Sequence, residues 1–194
     1  AMESGFMAFV QDLEKQLKSF DRFELKNVSS EDLRSMRDRY LSDELQRRKI
    51  TNISETTRQQ IVDRLRVAQQ QGFGVEDAAA EVRKQVPSLS KLRANTIART
   101  ELHRAAHTGT NSWANSRIGG SKYVTMTREW VAASDERTRR THVRADGQKV
   151  EMDEPFYVGG EQLMFPGAPE GSPGNVINCR CGVAYQVEEI EEIA

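Results

Sequence analysis

The spacing of apolar residues changes at Gly119-Gly120, and that change constrains the fold more than any other feature. Before it, Ala94, Ile97, Ala98, Leu102, Ala105 and Ala106 recur at three- and four-residue steps, the stripe of one long helix over residues 90–117. After it, Val124, Met126, Trp130 and Ala132 alternate with Thr125, Thr127 and Glu129, the pattern of a half-buried strand over residues 123–132, with Arg128 interrupting the apolar face. A helical period followed by a two-residue period predicts an α+β fold: a helical N-terminal region, then a long helix packed on a small, mainly antiparallel sheet.

The rest of the chain fills out this division. Helical stripes run over residues 6–20, from Ser30 to Leu45, and from Ser54 to Gly72-Phe73-Gly74. A short helix over residues 75–86 stops at Pro87. Residues 1–87 therefore read as a helical region and residues 88–194 as a second domain. Beyond Ser121, residues 156–165 read as a hairpin turning at Gly159-Gly160, and residues 166–174 as a Pro/Gly loop. Residues 177–187 show the cleanest alternation of all, with Ile177, Cys179, Cys181, Val183, Tyr185 and Val187 on one face. The acidic tail from Glu188 is expected to fray.

Charge and cysteine usage narrow the function. The net charge is −1; residues 1–121 hold 20 basic and 16 acidic side chains, and residues 122–194 hold 8 and 13. That balance predicts weak DNA binding at most, lost at moderate salt. No apolar run is long enough to span a bilayer, so no membrane partner is expected. The two cysteines make no disulfide framework, and on an extended strand their Cα atoms would stand about 6.5–7 Å apart, at the limit for a bridge. Buried, metal-free thiols are the expectation, with no cofactor. The alternative is zinc held by Cys179, Cys181 and His142, completed by Asp135 or His107. His103 and His107, four residues apart on the long helix, read as a solvated pair rather than as ligands.

Three stretches carry the remaining chemistry: Ile97-Ala98-Arg99-Thr100-Glu101; Trp130 followed by residues 135–142 and Asp146-Gly147; and Phe165-Pro166-Gly167 leading to Ile177-Asn178-Cys179-Arg180-Cys181. Their order and spacing resemble the Mu F-like family of phage minor head proteins, over roughly residues 55–187 and most strongly over 95–187. Ala168 departs from the pattern, since many relatives carry an acidic residue after that Pro-Gly. The resemblance implies a non-enzymatic role in virion head morphogenesis near the portal, through contacts with the portal protein and other head or scaffold proteins. It also implies a place in the virion, and in the host cytoplasm during assembly. Some relatives carry a toxin domain beyond the head domain; none is expected here.

The polar residues of these stretches read as a structural clamp: Glu101, Asp135, Arg139, Arg140, His142, Asp146, Asn178 and Arg180. Glu101 falls in the middle of an apolar stripe, and a buried carboxylate needs a partner. The expected partner is an arginine of residues 135–140, with Arg139 first. A competing reading makes the chain a nuclease or transferase, with His142 as a base oriented by Asp135 or Asp146 and Arg139 on an anion. Against it, no Ser or Cys stands in an activated motif and no Gly-rich phosphate cradle is present.

Overall fold

A computed structural model describes residues 55–118 and 124–189, with two isolated helical positions, Lys15 and Ser35, ahead of them. The helices expected over residues 6–20 and 30–45 lie outside the described residues. Three helices come first: α1 (Glu55–Gln70), α2 (Val75–Gln85) and α3 (Lys91–Ile118). Then follow β1 (Val124–Val131), α4 (Arg140–Ala145), β2 (Lys149–Glu151), β3 (Phe156–Val158), β4 (Glu161–Leu163), α5 (Pro173–Val176) and β5 (Gly182–Glu189). The fold is α+β.

The first three helices form by local rules. α1 buries Ile61, Val62, Leu65 and Ala68 along one face. It ends in a Schellman motif: Gly72, at φ 69°, donates to the Gln69 carbonyl at 3.1 Å and Phe73 to that of Ala68 at 2.9 Å. α2 carries Glu76 and Asp77 in its first turn and Arg83 and Lys84 in its last, matching the helix dipole. The Ser90 hydroxyl accepts from the Arg93 amide at 3.2 Å and caps α3. Ala94, Ala98, Leu102 and Ala105 of α3 join Ala78, Ala79 and Val82 of α2 and the α1 face in one apolar core. The division at residue 87 therefore separates elements that share a core.

The sheet half is built on a three-stranded antiparallel sheet in the order β2-β1-β5. β1 alternates as read: Val124, Met126, Arg128 and Trp130 are all buried. It pairs with β5 along its whole length, Trp130 opposite Val183 and Arg128 opposite Tyr185. β3 and β4 form the expected hairpin, turning at Gly159 and Gly160 with φ of 63° and 83°. Two positive φ values in succession are what a two-residue hairpin of right-handed twist requires. A second core gathers Trp130, Phe156, Val158, Leu163, Phe165, Val176, Cys179 and Cys181.

Three expectations are corrected. The strand read over residues 177–187 starts only at Gly182. Asn178 takes a left-handed conformation, φ 55°, which breaks the extended run, so Cys179 and Cys181 sit on an irregular loop and Ile177 is exposed. Both thiols are still buried, placed there by the turn and not by strand alternation. The segment after β1 contains a helix, α4, where only a loop was read. At the far end, β5 continues through Glu189 where fraying was expected.

Candidate functional site

Cys181 is the centre to which the chain's polar residues converge. All three histidines of the sequence contact it. His103 and His107, one turn apart on α3, both direct Nε2 at its carbonyl oxygen, at 2.9 and 3.2 Å. They are not a solvated pair: His107 also stacks on the Phe165 ring. Burial lowers the pKa of both, that of His107 to about 3, so both stay neutral and donate to the carbonyl.

The third histidine, His142, approaches the sulfur. It is 1 % exposed on α4 and sits edge-on to Trp130. Its Nδ1 lies 3.4 Å from Cys181 Sγ and 3.6 Å from Cys179 Sγ. Its Nε2 stands 2.8 Å from Asn175 Oδ1. The Asn175 amide is oriented independently, because its nitrogen donates to the Val158 carbonyl at 2.8 Å and to Glu161 Oε2 at 3.2 Å. Oδ1 is thus the atom left facing the imidazole, and Nε2 is the nitrogen that donates. Glu161 in turn accepts from the Ser172 amide at 2.9 Å, and hydrogen bonds from the Ser172 side chain, its amide and Asn175 hold the Glu161 carboxyl below the usual range. Burial alone would lower His142, but the bonds to Cys181 and Asn175 outweigh it and raise its pKa. The bond from Cys179, together with His142, holds the Cys181 thiol down, while the same contact and burial push Cys179 up.

The elements carrying these groups are tied to one another. Asp135 opens the turn into α4, accepting from the Arg137 amide at 3.0 Å and the Thr138 hydroxyl at 3.0 Å. Its carboxylate pairs bidentately with Arg180, with Oδ1 2.6 Å from Nη2 and Oδ2 bonded to Nη1. Arg139 donates to the Ile177 carbonyl at 2.6 Å. Asp146, closing α4, accepts from the Ala132 amide at 2.7 Å. The Asn178 amide donates to Thr100 of α3 at 3.1 Å, and Arg140 is exposed.

Glu101 corrects the expected pairing. It is buried, as the stripe implied, and it pairs with Arg104, one turn along the same helix, at 3.1 and 3.3 Å. Arg104 also donates through Nε to the Gly167 carbonyl at 2.7 Å, so it is Arg104 that ties α3 to the Pro-Gly loop. Arg139 is directed elsewhere. The residues of the enzyme reading hydrogen-bond to different partners: Asp135 to Arg180, Arg139 to the Ile177 carbonyl, and His142 to the thiols and Asn175.

Three central residues were missed. Arg104 sits three residues from Glu101, a local pair that helical spacing alone offers. Arg128, noted only as an interruption of an apolar face, is fully buried. Its guanidinium donates to the carbonyls of Met164 at 2.5 Å, Glu151 at 3.2–3.3 Å and Glu154, and to Asn111 Oδ1 at 2.9 Å, and it lies over the Phe156 ring. Asn175, inside a Pro/Gly stretch, gave no signal.

Chemically, Cys181, His142 and Asn175 form a thiol–imidazole–amide file of the kind that activates nucleophilic cysteines. A nucleophile must meet a substrate, however, and Cys181 is 3 % exposed with a second thiol beside the same imidazole nitrogen.

No solved structure matches the chain. Two curated proteins are similar to it. The minor head protein GP7 of Bacillus phage SPP1 is 31 % identical over 144 residues, 72 % of this chain and 45 % of GP7. The NAD(+)–arginine ADP-ribosyltransferase EFV of Enterococcus faecalis is 33 % identical over 95 residues, 48 % of this chain and 19 % of that protein. The chain thus spans less than half the length of either relative. The family model described as Phage Mu protein F like protein matches residues 59–184, from within α1 into β5 and including every residue of the Cys181 cluster, and the chain belongs to that family.

Proposed function

We propose that this chain acts as a phage minor head protein, structurally and not as an enzyme, in head morphogenesis near the portal. The observation that carries this reading is the similarity to GP7, a minor head protein, across 72 % of the chain. The inward direction of the polar cluster supports it, since His142, Cys179 and Cys181 are all buried and face one another. The similarity to the ADP-ribosyltransferase extends over only 19 % of that protein and supplies no argument for transfer chemistry here. The partners are the portal protein and other head or scaffold proteins, and the site of action is the virion, after assembly in the host cytoplasm. DNA contacts are weak and electrostatic, in keeping with a net charge of −1.

Co-expression with the portal protein of the same phage tests the reading. A complex that survives size-exclusion chromatography at physiological salt is expected, together with DNA binding that disappears as salt is raised. Failure to associate with portal or any head protein, combined with tight DNA binding at physiological salt, would replace an assembly role with a nucleic-acid one.

A further inference from the structure

We propose that Cys179, Cys181 and His142 form a binding site for a thiophilic divalent cation, zinc first. Among the described residues, this is the one group of three potential ligands whose donor atoms all lie within 4.8 Å of one another, and all three residues are buried. The distances match the ion. Zinc bonds of about 2.3 Å to sulfur and about 2.0–2.1 Å to nitrogen, at tetrahedral angles, place S and N about 3.5 Å apart. Cys181 Sγ and Cys179 Sγ stand 3.4 and 3.6 Å from His142 Nδ1.

The surroundings complete the argument. A ligating imidazole donates its other N–H to a fixed acceptor, which sets its tautomer and direction. Asn175 Oδ1 is that acceptor at 2.8 Å, and its own amide is locked by Val158 and Glu161. The Nδ1 lone pair is thereby turned toward both sulfurs. Two sulfurs at nearly equal distance from one nitrogen are more than a single hydrogen bond requires, but they are what a shared ion requires. The backbone between the ligands is held as well, with the Cys181 carbonyl bonded by His103 and His107 and the Asn178 amide by Thr100. Left-handed Asn178 makes the bend that lets a Cys-x-Cys pair present both thiols to one point. Among the described residues the cluster supplies three protein donors.

The test uses the purified chain, stripped with chelator under reducing conditions and titrated with zinc and with cobalt(II). One equivalent per chain is expected, with thiolate-to-cobalt charge-transfer absorption. Zinc should also raise the melting temperature of the stripped chain. Asn175→Ala should weaken affinity roughly 10–100-fold while leaving both thiols in place. Cys179→Ser with Cys181→Ser should abolish binding. Because that double variant risks misfolding, the wild-type titration decides by itself: a folded, reduced chain that binds less than a tenth of an equivalent of either ion overturns the site. So does cobalt binding without charge-transfer absorption, or undiminished binding in a folded double variant.

Discussion

The two halves of the molecule are held together by different physics. The core of α1, α2 and the first half of α3 is made of aliphatic side chains, with alanine the commonest residue: Ala68, Ala78, Ala79, Ala94, Ala98 and Ala105 beside Ile61, Val62, Leu65, Val82 and Leu102. Such a core depends on total burial and tolerates rearrangement among side chains of similar volume. The sheet half has an apolar core too, but it closes around buried polar groups, each with specified partners: Arg128, His142 and Asn175. These are costly to strand and cannot be exchanged for one another. The difference suggests where sequence drift is tolerated and where it is not. Substitution experiments should separate the halves accordingly.

Arg128 should give the largest effect. Its four acceptors, three backbone carbonyls and the Asn111 side chain, lie on β2, on α3, on the segment before β3 and on the segment after β4. Arg128→Met keeps the apolar stem and removes every donor. At roughly 1–1.5 kcal/mol for each stranded acceptor, the loss should be about 4–6 kcal/mol, comparable with the whole stability of a marginal domain. Chemical denaturation of the variant checks this. A loss under about 1 kcal/mol would mean that the sheet half is as tolerant as the helical half.

Glu101 lies at the seam between the halves and should come next. Glu101→Ala removes a carboxylate bonded to the buried Arg104 guanidinium, at a cost of about 3–5 kcal/mol. A double-mutant cycle with Arg104 should show strong coupling, and one with Arg139 should be additive. Coupling to Arg139 instead would restore the helix-to-loop clamp that the sequence pointed to.

Leu65→Ala opens a cavity in the helical core and should cost roughly 3 kcal/mol. The sharper expectation is where the loss is felt. Amide exchange should accelerate through α1 and α2 and stay unchanged in β1 and β5. Equal acceleration in both halves would show that the two cores unfold as one unit.

The same contrast explains what could be read from the sequence. α1, α2 and α3 follow from apolar spacing, a Gly stop, a Pro stop and a Ser cap, all local signals. The β1–β5 pairing follows from two alternating runs, and the hairpin from Gly159-Gly160. What escaped depends on partners distant in sequence. Residues 177–181 alternate perfectly, yet Asn178 turns the chain so that Cys179 and Cys181 can face His142, a demand visible only once α4 is in place. Arg128 announced itself by standing alone on an apolar face, but its four acceptors could not be named from spacing. Glu101 was assigned a distant arginine when one lay a turn away. The site's members His142, Cys179 and Cys181 were all singled out as an alternative ligand set, and what the sequence lacked was the orienting Asn175.

The smallest effect on stability should come from the most conspicuous ion pair. Asp135 and Arg180 meet bidentately, but Asp135 lies at the surface, where solvent screens the attraction and ordering two side chains opposes it. Arg180→Gln should therefore barely move the melting temperature at neutral pH. The pair should instead be visible in titration. The Arg180 hydrogen bonds hold the Asp135 carboxyl well below its usual value of 3.8. A depressed folded-state pKa stabilises the fold above the unfolded value, and the contribution is lost as pH falls from about 3.8 toward the depressed one. In wild type, the Asp135 carboxyl carbon followed by NMR should stay ionised through pH 3.8. In Arg180→Gln its midpoint should move up toward the ordinary range, because the remaining bonds from Arg137 and Thr138 are the weaker causes. The loss of stability as pH falls through 3–4 should be slightly larger in the wild type than in the variant, because only the wild type has this contribution to lose. A large drop in melting temperature for Arg180→Gln at pH 7 would break the comparison, since it would mean that the sheet half leans on its surface pairs as heavily as on Arg128.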